Sequence, residues 1–148
     1  LKTIGNAIAI TIGGVSGPIF GTLFSEMGKT VKSEKDSVNL KELSKMFSAS
    51  LDKIMKLGGA KPGDKTMVDA FYPAVKELEE CASKTDDIES AIEKMYEAAK
   101  KGAVSTKDMI SSKGKSSYLK ERSIGYEDAG ANTVVLIINA ISEEIKRL

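Results

Sequence analysis

The chain has 148 residues, of which 41% are hydrophobic and 29% charged, and its formal net charge at pH 7 is +1. This composition excludes a disordered chain, and so small a net charge provides no basic field for nucleic acid or a membrane surface. The sequence contains no histidine, which excludes a Ser-His-Asp triad, a Cys-His pair and a zinc site with histidine ligands. The length predicts a single domain over residues 1–148.

The one cysteine, Cys81, excludes an intrachain disulfide and favours a reducing, cytoplasmic location. It has no histidine partner, so we expect an ordinary helix thiol and not a reactive nucleophile. The apolar stretch 4–12 is short and interrupted by Gly5 and Asn6, unlike a signal peptide. No run approaches the roughly 20 apolar residues of a membrane span.

The first half of the chain predicts helices separated by glycine-rich turns. Residues 1–12 fit either a strand or a buried helix, because periodicity alone does not separate the two. Ser16 is the expected N-cap of the next helix, which has a proline in its first turn and fades into a polar loop over 32–38. A further helix begins after Asn39, which starts a capping-box pattern, and ends at the glycine pair 58–59.

In the second half, Asp64 is expected to cap a helix that Pro73 should kink. The remaining predicted elements, in chain order, are helices over about 86–101 and 105–112, an irregular loop over 113–130, and a last helix over 131–148. Helix follows helix without the alternating strands of a doubly wound sheet. The predicted fold class is therefore all-α, a bundle of antiparallel amphipathic helices.

Three loops are rich in glycine and hydroxyl residues, and each precedes a helix, where backbone N–H groups can bind an anion. In the first loop, 13–18, the Ser16 hydroxyl and the backbone amides could together bind a phosphate. When this loop is considered alone, a simple turn with a helix cap is the better interpretation. The second, 58–67, nearly matches a Walker motif but has the wrong spacing, an inserted aspartate and no preceding strand. Lys65 and Thr66 could still hold phosphate and metal-bound water, with a helix cap as the alternative.

The third loop is the long one over 113–130. Its cations could stabilise charge on a polyphosphate during phosphoryl transfer; they are Lys113, Lys115, Lys120 and Arg122. The alternative is a mobile charged surface loop, but Tyr118, Leu119 and Ile124 are expected to pin it to the core. Together the three loops favour a nucleotide site, whereas no tight aspartate cluster that would hold Mg²⁺ is found.

These loops carry a family resemblance. The segments GGVSGPIFGTLF, GGAKPGDKTMVDAFYPA and KGKSSYLKERSIGYEDAGA, in this order, resemble the nucleotide-binding L subunit of dihydroxyacetone kinase and the matching domain of ATP-dependent glycerone kinases. The similarity covers nearly the whole chain. It implies a barrel of about eight amphipathic antiparallel helices with the nucleotide at one end, of which this chain would contain about six.

The resemblance implies ADP or ATP as the bound nucleotide and names no catalytic residue. With Thr66 of the second loop, the expected nucleotide contacts are Val15, Ser16, Gly58, Met67, Lys115, Asp128, Ala129 and Gly130. Met67 would lie against the base. Lys115 stands where the family usually has arginine, which loosens a phosphate contact because lysine lacks the planar fork. Ala129 replaces the usual proline and Tyr126 a common histidine.

The family opens with an aspartate-rich motif that binds two Mg²⁺ ions, and this sequence begins after the matching point. We therefore expect the metal ligands upstream of Leu1 and none within the chain. Without that counter-charge, the chain as it stands is expected to bind nucleotide poorly and to transfer no phosphoryl group.

The function implied is that of an ADP- or ATP-binding kinase subunit. It would transfer a phosphoryl group from Mg²⁺-bound nucleotide to dihydroxyacetone held on a partner K subunit. Two variants follow: an M-subunit phosphocarrier of the phosphotransferase system recharges bound ADP, which we favour, or free ATP is exchanged. The absence of histidine agrees with this function, since in this family the substrate-binding and phosphocarrier histidines lie on partner chains. A homodimer of the chain is also possible. The alternative is a non-catalytic helical nucleotide- or lipid-binding module, or a related fatty-acid-kinase-type domain.

Overall fold

The computed structural model describes residues 1–31 and 37–147, and within this part of the chain every regular element is a helix. The predicted all-α class is confirmed. The six α-helices of the described residues are α1 (Lys2–Thr11), α2 (Ser16–Thr30), α3 (Leu40–Gly58), α4 (Met67–Lys84), α5 (Ile88–Ser105) and α6 (Ala129–Ile145). They belong to two compact units, Leu1–Gly59 and Ala60–Leu148, each described here by itself.

In the first unit, α1 and α2 pack through glycines. A Cβ added to Gly5 would lie 2.5 Å from the carbonyl oxygen of Gly21, and one added to Gly28 would lie 2.8 Å from the backbone nitrogen of Lys2. Gly5 of α1 thus faces Gly21 of α2, and Lys2 at the start of α1 faces Gly28 near the end of α2. The two helices are therefore antiparallel. The N-terminal stretch is therefore a helix and not a strand, and it is mostly exposed, with Gly5 as its buried residue.

The start of α2 differs from the prediction. Its N-cap is Val15, with no side-chain capping hydrogen bond, and Ser16 is the first helical residue. The expectation that Ser16 is the N-cap is wrong because Val15 is already in the right-handed helical region, at φ −73° and ψ −24°. Of the polar loop predicted over 32–38, residues 32–36 lie outside the described residues.

Helix α3 begins and ends as predicted. The Asn39 side chain accepts from the Glu42 amide at 2.9 Å, and the Glu42 carboxylate accepts from the Asn39 amide at 3.1 Å, which completes the capping box. Gly59 ends the helix in the left-handed conformation, at φ 59°. The Ser50 hydroxyl donates to the Leu23 carbonyl at 2.9 Å and so links α3 to α2.

In the second unit, α4, α5 and α6 pack around one apolar core. Its most deeply buried large side chains are Val68, Phe71, Val75, Leu78, Ile92, Met95, Val134 and Ile138. Cys81 of α4 is buried as well, and this burial raises the pKa of its thiol, as in a structural cysteine. None of the described helices combines the length and the apolar character needed to cross a bilayer.

Thr66, and not Asp64, caps α4. Thr66 is extended, at φ −138° and ψ 179°, directly before the first helical residue, and its hydroxyl accepts from the Val68 amide at 3.2 Å. The prediction for Asp64 is therefore wrong, because its carboxylate is engaged elsewhere. Helix α4 runs uninterrupted across Pro73.

The other predicted boundaries shift by a few residues. Helix α5, capped by Asp87, continues to Ser105, and the helix predicted over 105–112 is only a 3-10 turn, Thr106–Asp108. The predicted irregular loop contains a longer 3-10 helix, Lys115–Ser123. Helix α6 starts at Ala129, two residues before the predicted start, because the Asp128 side chain caps it.

Candidate functional site

The first turns of α4 and α6 lie side by side in the second unit. A Cβ added to Gly130 would lie 3.3 Å from the Cβ of Met67 and 3.0 Å from Oδ2 of Asp128. Met67 is the first residue of α4 and is 7% exposed, and Thr66 precedes it as the N-cap. The structure thus brings together four of the predicted site residues, where two helix N-termini present the positive ends of their dipoles.

Asp128 is the charged member of this cluster. Its Oδ2 accepts from the Ala131 amide at 2.8 Å, and its own amide donates to the Thr106 hydroxyl at 2.8 Å. Burial raises the pKa of Asp128, and the nearby charge of Asp69 raises it further, while the helix amides and Lys65 oppose the rise.

Lys65 does not occupy a phosphate-binding position. Its side chain is 3% exposed, and Nζ donates to the backbone carbonyls of Met109 and Ser123, at 3.1 and 2.5 Å. The phosphate role considered for Lys65 is therefore wrong, because the ammonium already serves two carbonyls of the protein and is shielded from solvent.

Asp69 is a buried carboxylate that was not among the sequence candidates. Its Oδ1 accepts from the Gly63 amide at 2.5 Å, and its Oδ2 accepts from the Thr66 amide at 2.8 Å. It therefore fixes the loop that precedes α4. The spacing Thr66-x-x-Asp69 is that of a capping box and was the signal available in the sequence.

Asp64 connects the same loop to a distant segment. Its carboxylate accepts from the Lys61 amide at 2.9 Å and from the Ser112 hydroxyl at 2.8 Å. The Lys61 hydrogen bond, with help from Ser112 and from the charge of Lys113, lowers the pKa of Asp64 against the opposing effect of burial.

This geometry predicts a pH-dependent effect of Asp64→Asn. An amide has one acceptor oxygen in place of two, so we expect the variant to be about 1–2 kcal/mol less stable at pH 7. Because the pKa of Asp64 is lower in the folded than in the unfolded protein, its carboxylate stabilises the fold at a pH above the unfolded-state pKa of about 4. This stabilisation is lost as the pH falls through the folded-state pKa. Urea denaturation should therefore show a difference that shrinks below about pH 4.

The control for this prediction is Asp108→Asn, at an exposed aspartate of the same unit. We expect it to change stability little at any pH, as surface substitutions usually do. A stability difference for Asp64→Asn that stays constant from neutral pH to pH 3 would contradict the role assigned to the carboxylate.

Polar contacts hold the segment 109–125. The Ser123 hydroxyl accepts from the Ser111 amide at 2.9 Å, and the Gly125 amide donates to the Lys107 carbonyl at 2.8 Å. The expected apolar anchors do not pin the loop, since Tyr118 is 89% exposed and Leu119 and Ile124 are also exposed. That expectation is wrong because backbone and hydroxyl hydrogen bonds replace apolar packing.

Lys115 belongs to the same unit as the cluster at the α4 and α6 starts. It is exposed and begins the second 3-10 helix, directly after Gly114, whose φ is 65°. The other cations of this loop are exposed too; they are Lys113, Lys120 and Arg122. Ala129, the first residue of α6, is likewise exposed.

The other predicted site residues, Val15, Ser16 and Gly58, belong to the first unit. Val15 is 66% exposed at the start of α2, and Gly58 is the last residue of α3. A Cβ on Gly58 would have Ile19 Cδ1 as its nearest neighbour, at 4.0 Å, so the α3 end lies near the first turns of α2.

The described residues do not assemble a divalent cation site. Among residues 1–31 and 37–147, no group of three or more aspartate, glutamate, cysteine or histidine side chains could hold a metal ion.

A protein-family model, the DAK2 domain, matches residues 1–143. The chain belongs to the DAK2 domain family. This confirms the resemblance drawn from the three segments.

Several curated proteins are similar to this DAK2 domain. It is 37% identical, over 96% of its length and 67% of the other protein, to the PEP-dependent dihydroxyacetone kinase, ADP-binding subunit DhaL, of Escherichia coli (strain K12). It is 38% identical, over 95% of its length and 64% of the other protein, to PEP-dependent dihydroxyacetone kinase 1, ADP-binding subunit DhaL, of Listeria innocua. The chain thus spans about two thirds of the length of these relatives.

Solved structures of the dihydroxyacetone kinase of C. freundii share the fold of this DAK2 domain. The native form matches with a TM-score of 0.67 at 24% identity, over 97% of this chain and 23% of that one. The complex with AMP-PNP and Mg²⁺ matches with a TM-score of 0.62 at 25% identity, over 97% of this chain and 22% of that one.

Proposed function

We propose that this DAK2 domain binds ADP or ATP as part of a cytoplasmic dihydroxyacetone kinase. The phosphoryl group would pass from Mg²⁺-bound nucleotide to dihydroxyacetone held on a K subunit, and an M-subunit phosphocarrier would recharge the ADP. The names of the relatives support this, since two are PEP-dependent ADP-binding subunits and a third, from Lactococcus lactis, is described as PTS-dependent.

The observation that carries the proposal is the meeting of the α4 and α6 N-termini at Met67 and Gly130. Two helix dipoles that converge there favour an anion such as a phosphate. Met67, at 7% exposure, offers a base only the small part of its side chain that faces solvent, and Gly130 allows close approach because it has no side chain. Exposed Lys115 supplies positive charge that can reach phosphate oxygens. Thr66, Asp128 and Ala129 complete the proposed nucleotide contacts of this unit. Val15, Ser16 and Gly58 are the contacts proposed for the first unit.

In this arrangement the protein would act mainly by positioning the nucleotide and neutralising its charge. Bound Mg²⁺ would supply charge neutralisation at the phosphates.

An amide NMR titration with ADP and Mg²⁺ tests the proposal and detects weak binding. We expect saturable shifts at residues 66–67, 114–117 and 128–131, and much smaller shifts with inorganic phosphate alone. Shifts produced by a fatty acid but not by ADP would contradict the proposal and favour a lipid-binding module.

Asp128→Ala is expected to weaken ADP binding by about 1–3 kcal/mol, because it removes the half-buried carboxylate that holds the first turn of α6 beside the proposed site through the Ala131 amide. Lys115→Ala should weaken binding by a similar amount through loss of a phosphate partner. Calorimetry or the NMR titration measures both effects.

The matched control is Asp87→Ala. Asp87 caps α5 as Asp128 caps α6, with its Oδ1 accepting from the Ser90 amide at 3.0 Å. Each substitution should cost about 1 kcal/mol of stability as a lost N-cap, but only Asp128→Ala should weaken ADP binding. Equal ADP affinity in the two variants would remove Asp128 from the site.

A further inference from the structure

The side chain of Lys65 joins three stretches of the second unit. It starts in the loop before α4, and its ammonium reaches the carbonyls of Met109 and Ser123, which lie near the two ends of the segment 109–125. We propose that Lys65 is a positioning residue for the nucleotide site, whose buried ammonium holds this segment so that Lys115 and Asp128 are presented to the nucleotide. The inference rests on the proposed function.

Burial and donor geometry fit this role and not direct phosphate binding. At 3% exposure the ammonium is out of reach of a ligand in solvent, and it would be costly to bury without partners. The two carbonyls provide those partners as charge-assisted hydrogen bonds, which are stronger than neutral ones. The exposed cations of the segment, Lys115 among them, stay available for phosphate.

The backbone at Lys65 supports the same conclusion. Its φ of 56° lies in the left-handed region, where a residue with a Cβ is less favourable than glycine. The conformation is compatible with a stable fold because the surrounding contacts fix it, and the two hydrogen bonds of the side chain are among these contacts.

The segment has few other anchors that reach both of its ends. Tyr118, Leu119 and Ile124 are exposed, so apolar packing contributes little. The Ser112 hydroxyl binds Asp64 near one end, and the Gly125 amide binds Lys107 near the other. The Ser111 amide also joins the two ends by donating to the Ser123 hydroxyl, but that bond lies within the segment. Lys65 ties both ends to the loop before α4, and its charge is close enough to act on Asp128, the N-cap of α6.

The test compares Lys65→Met with Leu78→Ala, a core truncation in the same unit that lies about three helical turns after the start of α4. Both variants should lose stability, because one leaves carbonyls unpaired and the other a cavity. ADP affinity in the presence of Mg²⁺ is measured by NMR titration under conditions where circular dichroism shows each variant folded. We expect affinity to fall about tenfold or more in Lys65→Met and to change less than about twofold in Leu78→Ala.

Amide hydrogen exchange provides the second measurement. Lys65→Met should speed exchange over residues 109–125 more than over α5, whereas Leu78→Ala should speed both alike. Lys65→Arg keeps a positively charged donor and should restore a large part of both the slow exchange and the affinity. If Lys65→Met does not fold, Lys65→Gln replaces it, because glutamine keeps a shorter, neutral donor. We expect the same lower ADP affinity and faster exchange over residues 109–125.

The outcomes separate the two proposals. ADP affinity of the Lys65 variant within about twofold of the parent chain overturns the positioning role. If the parent chain itself binds no ADP, the proposed function fails, and the exchange data then decide whether Lys65 orders the segment: uniform loosening overturns that role, and local loosening supports it.

Discussion

Replacing Gly102 with alanine is expected to destabilise the second unit by about 3 kcal/mol, near the upper end for overpacking of a core. A Cβ at this position of α5 would lie 2.2 Å from the carbonyl oxygen of Asp69 and 2.9 Å from Cα of Ala70. Both atoms belong to the backbone of α4, so no side-chain rotation relieves the overlap, and the two helices must move apart. Urea denaturation followed by circular dichroism measures the loss.

Gly58→Ala is the control, and its expected effect has the opposite sign. Gly58 is also helical, but a Cβ there has no neighbour nearer than 4.0 Å. Because alanine favours the helix over glycine, we expect unchanged or higher stability, by up to about 1 kcal/mol. A Gly102→Ala variant as stable as the parent would show that the contact between α4 and α5 relaxes without cost.

Replacing Asp69 with alanine is expected to cost about 3 kcal/mol. The substitution removes a buried carboxylate that accepts part-buried hydrogen bonds from the amides of Gly63 and Thr66, and each hydrogen bond to a charged group is worth about 1.5–3 kcal/mol. Asp69→Asn keeps the size but only one acceptor oxygen, so about half of the loss should return. Chemical denaturation of the three proteins gives the comparison.

Glu42→Ala is the matched control for Asp69, because both residues occupy the third position of a helix and complete a capping box. The Asn39–Glu42 hydrogen bonds are exposed, whereas Asp69 is 5% exposed. We therefore expect a loss of about 0.5–1 kcal/mol for Glu42→Ala. Equal losses at the two positions would contradict the importance of burial.

The helices could be predicted where the deciding signal is local. The capping box at Asn39 and the glycine stop at 58–59 use only neighbouring residues, and both predictions are confirmed. The choice between Asp64 and Thr66 as the cap of α4 is different. Asp64 is occupied by Ser112, 48 positions away, and nothing near it in the sequence signals that hydrogen bond.

The candidate site shows the same limit. Its segments could be identified from their residues, and the structure places Thr66, Met67, Asp128 and Gly130 together. Lys65 was misjudged because its partners are backbone carbonyls, which every residue carries and no sequence pattern marks. The expectation that Tyr118 packs on the core is wrong for a related reason. Its aromatic character predicts burial, but hydrogen bonds already hold its segment and the side chain stays exposed.

The loop contacts of the second unit also bear on the order in which the unit folds. Its helices form from contacts four residues apart, while Lys65 and Ser123 are separated by 58 positions and Ser112 and Asp64 by 48. Contacts between distant positions carry the larger chain-closure entropy. We therefore expect helical content to appear before the Ser112 amide, which donates to the Asp64 carbonyl, gains protection in pulse-labelling exchange. The region around the α4 and α6 starts would then be among the last to become ordered, and a nucleotide that binds only the finished arrangement would draw folding to completion.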